Sequence, residues 1–423
     1  MLVVGVVACQ EETPTGLGDE VSGAPVTIEV ELPWSEFASN LEVFGGYGLP
    51  SEVGDGIIAT NLAGLNARTL VRFGSYPDRA TVRDSSGTNR TDSTLAIFEG
   101  LFVAHFDDAA STNTGPVTLS LGALQTEWHA GSAGWTLAVD TLNDSRAWPD
   151  SGAGPVTPLR TAAWDPASAD SVLFFLDSAQ IAAWADTTDQ SRGARLELVT
   201  EGERLRMSSA SLRLSARPSI DPDTVVELVV PSRSVTFVYD PRPGPPAAGV
   251  RVGGAPSWRS VLDIALPTTL TGPPAFCAAV GCPHTLQAGE ISFGALVLTS
   301  EASDTAFQPR DSLSVDVRPV LQRAAMPKAP LGSSLIGTPL GRRVAGAAFG
   351  SQPGARFEVP ITSFLRALVV GQDESGRVAP NTLAILSAIE PSTITFASFV
   401  GPGATGEPVL RLVLTIGPPV ELP

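Results

Sequence analysis

The sequence predicts an all-β protein, two tandem β-sandwich domains with few short helices, and three observations carry that expectation. Pro (36) and Gly (41) are abundant and scattered along the 423 residues. That suits many short strands joined by turns and disfavours long helices. Apolar and polar residues alternate in run after run, as half-buried strands require. One order of short segments also occurs twice. Leu70-Val71-Arg72-Phe73 is answered by Val261-Leu262-Asp263-Ile264, and Leu173–Ile181 by Phe357–Leu365. Arg195–Thr200 is answered by Leu383–Ala388, and Val225–Val230 by Val409–Leu414. The offsets are 261 − 70 = 191, 357 − 173 = 184, 383 − 195 = 188 and 409 − 225 = 184. Near-constant spacing is the mark of a scaffold used twice.

The chain opens MLVVGVVACQEETPTGLGDE. An apolar run ending in Ala8-Cys9, followed by a polar stretch, resembles the lipobox of bacterial lipoproteins. The resemblance implies removal of residues 1–8 as a signal-peptide remnant, lipidation of Cys9, and a flexible tether over 9–25. With Gln10 after the Cys, it also implies the outer membrane. No Lys or Arg precedes the apolar run, unlike an ordinary signal. A plain hydrophobic N-terminus or a buried first strand is the alternative.

Strand alternation begins at Val26-Thr27-Ile28-Glu29-Val30-Glu31-Leu32 and recurs through Val235–Tyr239. We expect a first sandwich over residues 26–232 and a second over 233–423. The Pro/Gly-dense Asp240–Pro256 reads as an interdomain linker or, in preference, as a long loop after the entry strand Val235–Tyr239. Strands resume at Ser260–Ala265 and continue to Val409–Ile416. Two short helices stand at matching places. Asp177–Ala185 is capped by Asp177 or Ser178, and Thr362–Val369 by Thr362 or Ser363. A further Pro/Gly-rich loop, Met326–Gly354, carries Arg342-Arg343 and reads as mobile or as a binding loop.

Cys277 and Cys282 are separated by four residues amid Pro and Gly, and read as a local disulfide pinning a loop. A metal site there would need more ligands than nearby His284. The net charge of −17 disfavours nucleic acid or anionic lipid, which need clustered cations.

Segment order extends the comparison. Arg72-Phe73…Pro77 and Arg259–Leu262 open the copies, and Ala295-Leu296-Val297-Leu298 has Leu101–Ala104 as its partner. The final pieces are Phe396-Ala397-Ser398-Phe399 and Pro408-Val409-Leu410-Arg411-Leu412. Together they resemble the DNRLRE-type jelly-roll domain of bacterial surface lipoproteins. That resemblance implies two tandem jelly-roll-like sandwiches without catalysis, serving adhesion or polysaccharide binding, sometimes as a stalk. It carries no site residues with it.

Motifs for chemistry are sparse. His105, His129 and His284 lack spacing partners for metal or general-base work, and no nucleophile elbow, zinc-protease helix or phosphate loop occurs. Asp107-Asp108, Asp221/Asp223 and Asp373-Glu374 offer oxygen ligands for a structural Ca²⁺, with solvated turn carboxylates as the plainer reading. Six of the seven Trp lie before residue 185. Trp148 and Trp164, in the loop Asn143–Ala169, are expected to be exposed and to stack on sugar rings; most other Trp are core. The sequence therefore predicts a non-enzymatic, extracytoplasmic, lipid-anchored surface protein whose partner is a polysaccharide or another surface protein. The rivals are an assembly subunit of a surface layer or filament, and a glycan-active enzyme with facing carboxylates. Function is expected where the repeat breaks down: in the Trp-bearing loop of the first copy, or in the Cys277/Cys282 and Met326–Gly354 loops of the second.

Overall fold

The structure, a computed structural model, describes residues 25–417 apart from 85, 273, 338–340, 374 and 392. Cys9, the signal remnant and most of the tether lie outside the described residues. The chain opens with β1 (Val26–Leu32), α1 (Trp34–Phe37), β2 (Ala38–Phe44) and α2 (Pro50–Val53). Next come β3 (Gly56–Leu62), β4 (Leu65–Phe73), a ribbon of β5 (Ala80–Arg83) and β6 (Asn89–Asp92), β7 (Leu95–Phe106) and β8 (Val117–Leu124). A hairpin of β9 (Leu137–Thr141) and β10 (Asp144–Ala147) precedes β11 (Val156–Trp164), β12 (Ser171–Leu176) and α3 (Ser178–Ala185). The first half ends with β13 (Ala194–Leu198), β14 (Glu203–Pro218) and β15 (Val226–Asp240). The second contains β16 (Val250–Gly253), β17 (Arg259–Ile264), β18 (Thr269–Leu270), α4 (Pro274–Val280), β19 (His284–Thr285) and β20 (Ile291–Glu301). It continues with β21 (Leu313–Pro319), β22 (Arg342–Val344), β23 (Arg356–Pro360), α5 (Thr362–Val370), β24 (Thr382–Ser387), β25 (Phe396–Phe399) and β26 (Val409–Ile416).

Hydrogen bonding sorts these strands into two sandwiches of one strand order. In the first, the layers run β11-β8-β13-β4 and β12-β7-β14. In the second they run β22-β21-β24-β17 and β23-β20-β26. A strand or strand pair that crosses from layer to layer closes each sandwich. In the first it is β15, whose Val226–Pro231 pairs with β14 and whose Ser232–Asp240 pairs with β4. In the second it is β1 on β26 together with β2 on β17. Counted from the closing strand, both sandwiches have the jelly-roll arrangement of two interleaved Greek keys.

Along the chain, each repeat begins with its closing element: β1-β2 heads the first and β15 the second. The two repeats have exchanged these elements. Residues 26–44, expected in the first sandwich, complete the second, and Arg233–Asp240, expected to open the second, complete the first. The reason is that alternation sets which face a strand buries, not which equivalent slot it fills. Leu32 stands opposite Leu410 as Val230 stands opposite Leu212.

Register also tests the segment matches. Thr69 donates from its hydroxyl to the Ile57 carbonyl at 2.9 Å, and Ser260 does the same to Arg251 at 2.9 Å. Their separation, 260 − 69 = 191, is the offset read from the opening strands. The last match fails. Val409–Leu414 occupies the place of β14, paired to β1 and β20, and Val226–Pro231 occupies the place of β1. Adjacent strands of equal alternation look alike in sequence.

Both helices cover the same spot. Gly100 of β7 lies under Ile181 of α3, and Gly294 of β20 under Leu365 of α5, and a Cβ at either glycine would press on the end of that helix side chain. Asp177 caps α3 by accepting the Gln180 N–H at 2.8 Å. The expected cap on α5 is absent. Its N-cap is Ile361, while the Thr362 hydroxyl accepts the Gly294 N–H at 2.9 Å and ties the helix to β20. Cys277 and Cys282 form the expected disulfide. Of the loop Met326–Gly354, Arg342–Val344 is strand β22, paired to β21.

Asp92 closes the end of β6. Its carboxylate accepts the Ile220 and Thr94 N–H groups, each at 2.8 Å, and the Ser219 hydroxyl. These bonds, that from Ile220 first, hold its pKa below the ordinary 3.8. A depressed folded pKa gives stability that is full above the unfolded value and is lost as pH falls through the folded one. Asp92→Asn is therefore expected to melt earlier than wild type at pH 7, with the gap narrowing below about pH 3.8. A melting series from pH 7 to pH 2 checks this; a gap that stays constant contradicts it.

The sandwiches share a third core. Ile57, Ala67 and Phe237 of the first pack with Trp258, Phe307 and Phe396 of the second. Arg204, 2% exposed, reaches across this junction. Its guanidinium donates to the Ala306 and Gln308 carbonyls at 2.7 and 2.9 Å. Beside it, Arg206 binds Asp55 at 2.6 Å and Asp311 at 3.3 Å.

Candidate glycan-binding site at the strand crossover

The Trp-bearing loop is an excursion between β8 and β11. Trp128, Ala133, Ala138 and Trp148 form a small core against Leu70 of β4 and Val238 of β15. Trp128 donates its indole N–H to the Arg192 carbonyl at 3.3 Å, with the Arg72 guanidinium 4.3 Å from its ring centroid.

The structure corrects the two expected binding residues. Trp148 is 5% exposed, and its indole N–H donates to the Gly134 carbonyl at 2.9 Å. Trp164 is 2% exposed, sits on β11, packs its ring at a tilt of 37° against Phe106 with centroids 4.6 Å apart, and donates to the Ala169 carbonyl at 2.9 Å. A turn-rich composition suggested exposure. Each indole, with one N–H to satisfy and a large apolar body, instead holds its own loop down.

Trp135, half-buried, is the residue that reaches a surface pocket. The pocket encloses about 350 Å³. Ser132, Trp135, Thr136 and Asp140 of the excursion form one side; Asp240 and Arg242, at and just after the end of β15, form the other. Trp135 is held from behind. Arg68 lies 5.2 Å from its ring centroid and donates to the Gly152 carbonyl at 2.6 Å. The Gly152 N–H in turn donates to the Trp135 carbonyl at 2.6 Å. Gly152 has φ +78, and a Cβ there would sit 2.8 Å from the indole, so glycine is required at that turn.

The pocket floor is set by Tyr239, whose buried hydroxyl donates to the Ala255 carbonyl. Burial pushes that phenol up to about 12, so the group stays neutral. Arg242 lies 6.0 Å from the Tyr239 ring centroid. Its guanidinium passes 2.9 Å from where a Cβ of Gly134 would stand. The pocket thus presents an indole, two carboxylates, a guanidinium and two hydroxyls at one place. The strand exchange builds it, because β15 brings the Asp240 side to the Trp loop.

Among the remaining sequence candidates, Asp107, Asp221, Asp373 and the three histidines are turn and ion-pair groups, and Glu374 lies outside the described residues. Asp107 lies 3.5 Å from Arg206, Asp221 accepts the Thr224 hydroxyl at 2.8 Å, and Asp373 accepts the Ser375 and Arg377 N–H groups. His284 meets Glu290 at 3.0 Å, His129 meets Ser132 at 3.0 Å, and His105 lies 3.7 Å from Asp170. Among the described residues, no group of three or more His, Cys, Asp or Glu is placed to hold a metal ion. No described helix is long and apolar enough to cross a membrane.

No family model and no curated protein matches the chain. Among solved structures, the chain is aligned with the cryo-EM structure of Broad Bean Stain Virus. The alignment has 8% identity over 97% of this chain and 95% of that one, with a TM-score of 0.14. At that score it carries no argument about fold or function.

Proposed function

We propose that the protein is a non-enzymatic, extracytoplasmic surface lipoprotein that binds polysaccharide in the Trp135 pocket. One observation carries the reading: a half-buried indole beside Asp140, Asp240 and Arg242 in an open pocket. Sugar rings offer apolar C–H faces and rims of hydroxyls. An indole face suits the first, and carboxylates and a guanidinium suit the second. The likeness of the segment order to DNRLRE-type lipoprotein domains supports the same class, and the lipobox at Cys9 supports the anchor.

Trp135→Ala is expected to weaken glycan binding on the order of 10- to 30-fold, about 1.4–2 kcal/mol. Melting should fall only modestly, because the half-buried ring also packs against the Trp128–Trp148 core. A glycan array followed by titration calorimetry checks this. Trp34→Ala, at the other half-buried Trp, should leave binding unchanged. Full binding by Trp135→Ala, or no glycan bound by wild type, overturns the reading.

A second reading, glycan cleavage, is favoured by the presence of Asp140 and Asp240 in one pocket, since glycosidases work with carboxyl pairs. Release of new reducing ends from a bound glycan, abolished by Asp140→Asn or Asp240→Asn, would select it over binding alone.

A further inference from the structure

The outer face of the layer β12-β7-β14-β15 in the first sandwich is dressed differently from its counterpart in the second. Register aligns Phe175, Leu101, Arg213 and Val229 in one row across the four strands. Phe175 is 59% exposed and Val229 53%, with Leu173, Val225 and Phe98 also exposed. The equivalent row in the second sandwich is Pro360, Ala295, Arg411 and Glu31. Both rows centre on an arginine, but the surroundings differ. Arg411 pairs with Glu29 at 2.7 Å and Glu358 at 3.2 Å, and Arg356 pairs with Glu31 at 2.7 Å. Val229 stands where Glu31 stands, and Leu173 where Glu358 stands. One scaffold position is thus finished for water and its twin with exposed apolar side chains, the signature of a contact surface.

We propose that this face is where two copies of the chain associate, sheet face to sheet face. The charge pattern selects a second copy as the occupant. The chain carries −17 overall, so two copies repel unless they meet on a neutral patch. This face carries Arg213 and Arg217 against Glu99 and Glu227, with Glu99, Ser215 and Glu227 aligned in the next row. Arg217 is also 5.2 Å from the Phe98 ring centroid. A twofold axis through the face sets Arg213 of one copy against the acidic row of the other while the apolar side chains meet. A four-strand face of this length is on the order of 500 Å² per partner. That lies at the low end for specific interfaces, so the dimer forms in the micromolar range.

The test is sedimentation of the full chain across a concentration series up to about 200 µM, well above a micromolar Kd. Leu173→Glu with Val229→Glu copies in the residues of the second sandwich, and Phe175→Ser is a milder variant. Wild type should shift from monomer to dimer. Both variants should stay monomeric at every concentration, with unchanged melting and, in the Trp135 pocket, unchanged glycan binding. Wild type that remains monomeric throughout, or variants that associate as wild type does, overturns the proposal. A monomer that instead binds phosphatidylcholine vesicles through these residues would assign the face to a lipid surface and equally overturn it.

Discussion

Deleting Val26–Phe44 is expected to unfold the second sandwich and leave the first folded. The segment inserts Val30, Leu32 and Phe37, all buried, into the core formed by residues 250–414. Each such side chain is worth about 1.5–3 kcal/mol of burial. The loss also strips the hydrogen-bonded partner from β26 and from one side of β17. Together these reach the ~5–15 kcal/mol that typically holds a domain folded. The first sandwich keeps its own closing strand, β15. Hydrogen exchange should therefore lose protection across residues 250–416 and retain it across β7, β8 and β13. A synthetic peptide of residues 26–44 should restore protection in trans. Domains without exchange would give the opposite map, with the first sandwich lost.

Arg204→Ala is expected to uncouple the two sandwiches. The buried guanidinium is pushed down to about 10 by burial, yet it remains charged at neutral pH. Truncation leaves the Ala306 and Gln308 carbonyls without their donor in the shared core. An unsatisfied buried group costs about 1–3 kcal/mol, so the pair costs roughly 2–4 kcal/mol allowing for relaxation. Scanning calorimetry should show one transition in wild type and two in the variant. Arg204→Lys should rescue only in part, because an ammonium keeps the charge and can donate but lacks the rigid fork that serves both carbonyls. A single transition at the wild-type temperature in Arg204→Ala would contradict this role.

Much of the scaffold is legible in the residues. Val26–Leu32 and Val409–Ile416 are strands with the boundaries read from their alternation. The helices after Asp177 and at Thr362 stand where local pattern puts them. What period-two alternation cannot carry is partnership. Val225–Val230 and Val235–Tyr239 read as separate strands, yet they are parts of one bent strand bulged near Ser232. The exchange of β1-β2 with β15 depends on which of two like slots each one fills, and nothing local encodes that.

The site shows the same division. The excursion carrying the Trp residues stands out because its counterpart, the connection between β21 and β22, carries no Trp. Which Trp faces outward is decided by long-range contacts. Trp148 is bonded to Gly134, Trp164 lies on Phe106, and only the Arg68–Gly152 support leaves Trp135 at the pocket. Asp240 and Arg242 are about a hundred residues from Trp135 and reach it only through the crossing strand. The doubled arginine was available as a signal: Arg68 stands under Trp135, and Arg259, 191 residues on, stands under Tyr47 at 3.7 Å.

The exchange of closing strands underlies both the fold and the pocket, and one crosslink tests it most directly. Thr27 and Thr415 are register partners on β1 and β26, with their hydroxyl oxygens 3.4 Å apart. If each repeat kept its own closing strand, Thr27 would instead stand beside Arg217 on β14, where the chain after Ser219 turns back into β15. Mild oxidation of Thr27→Cys/Thr415→Cys should join the two introduced thiols within one chain, read by peptide mapping, while Thr27→Cys/Arg217→Cys should stay open. The reverse pattern would contradict the exchange and, with it, the pocket that β15 completes.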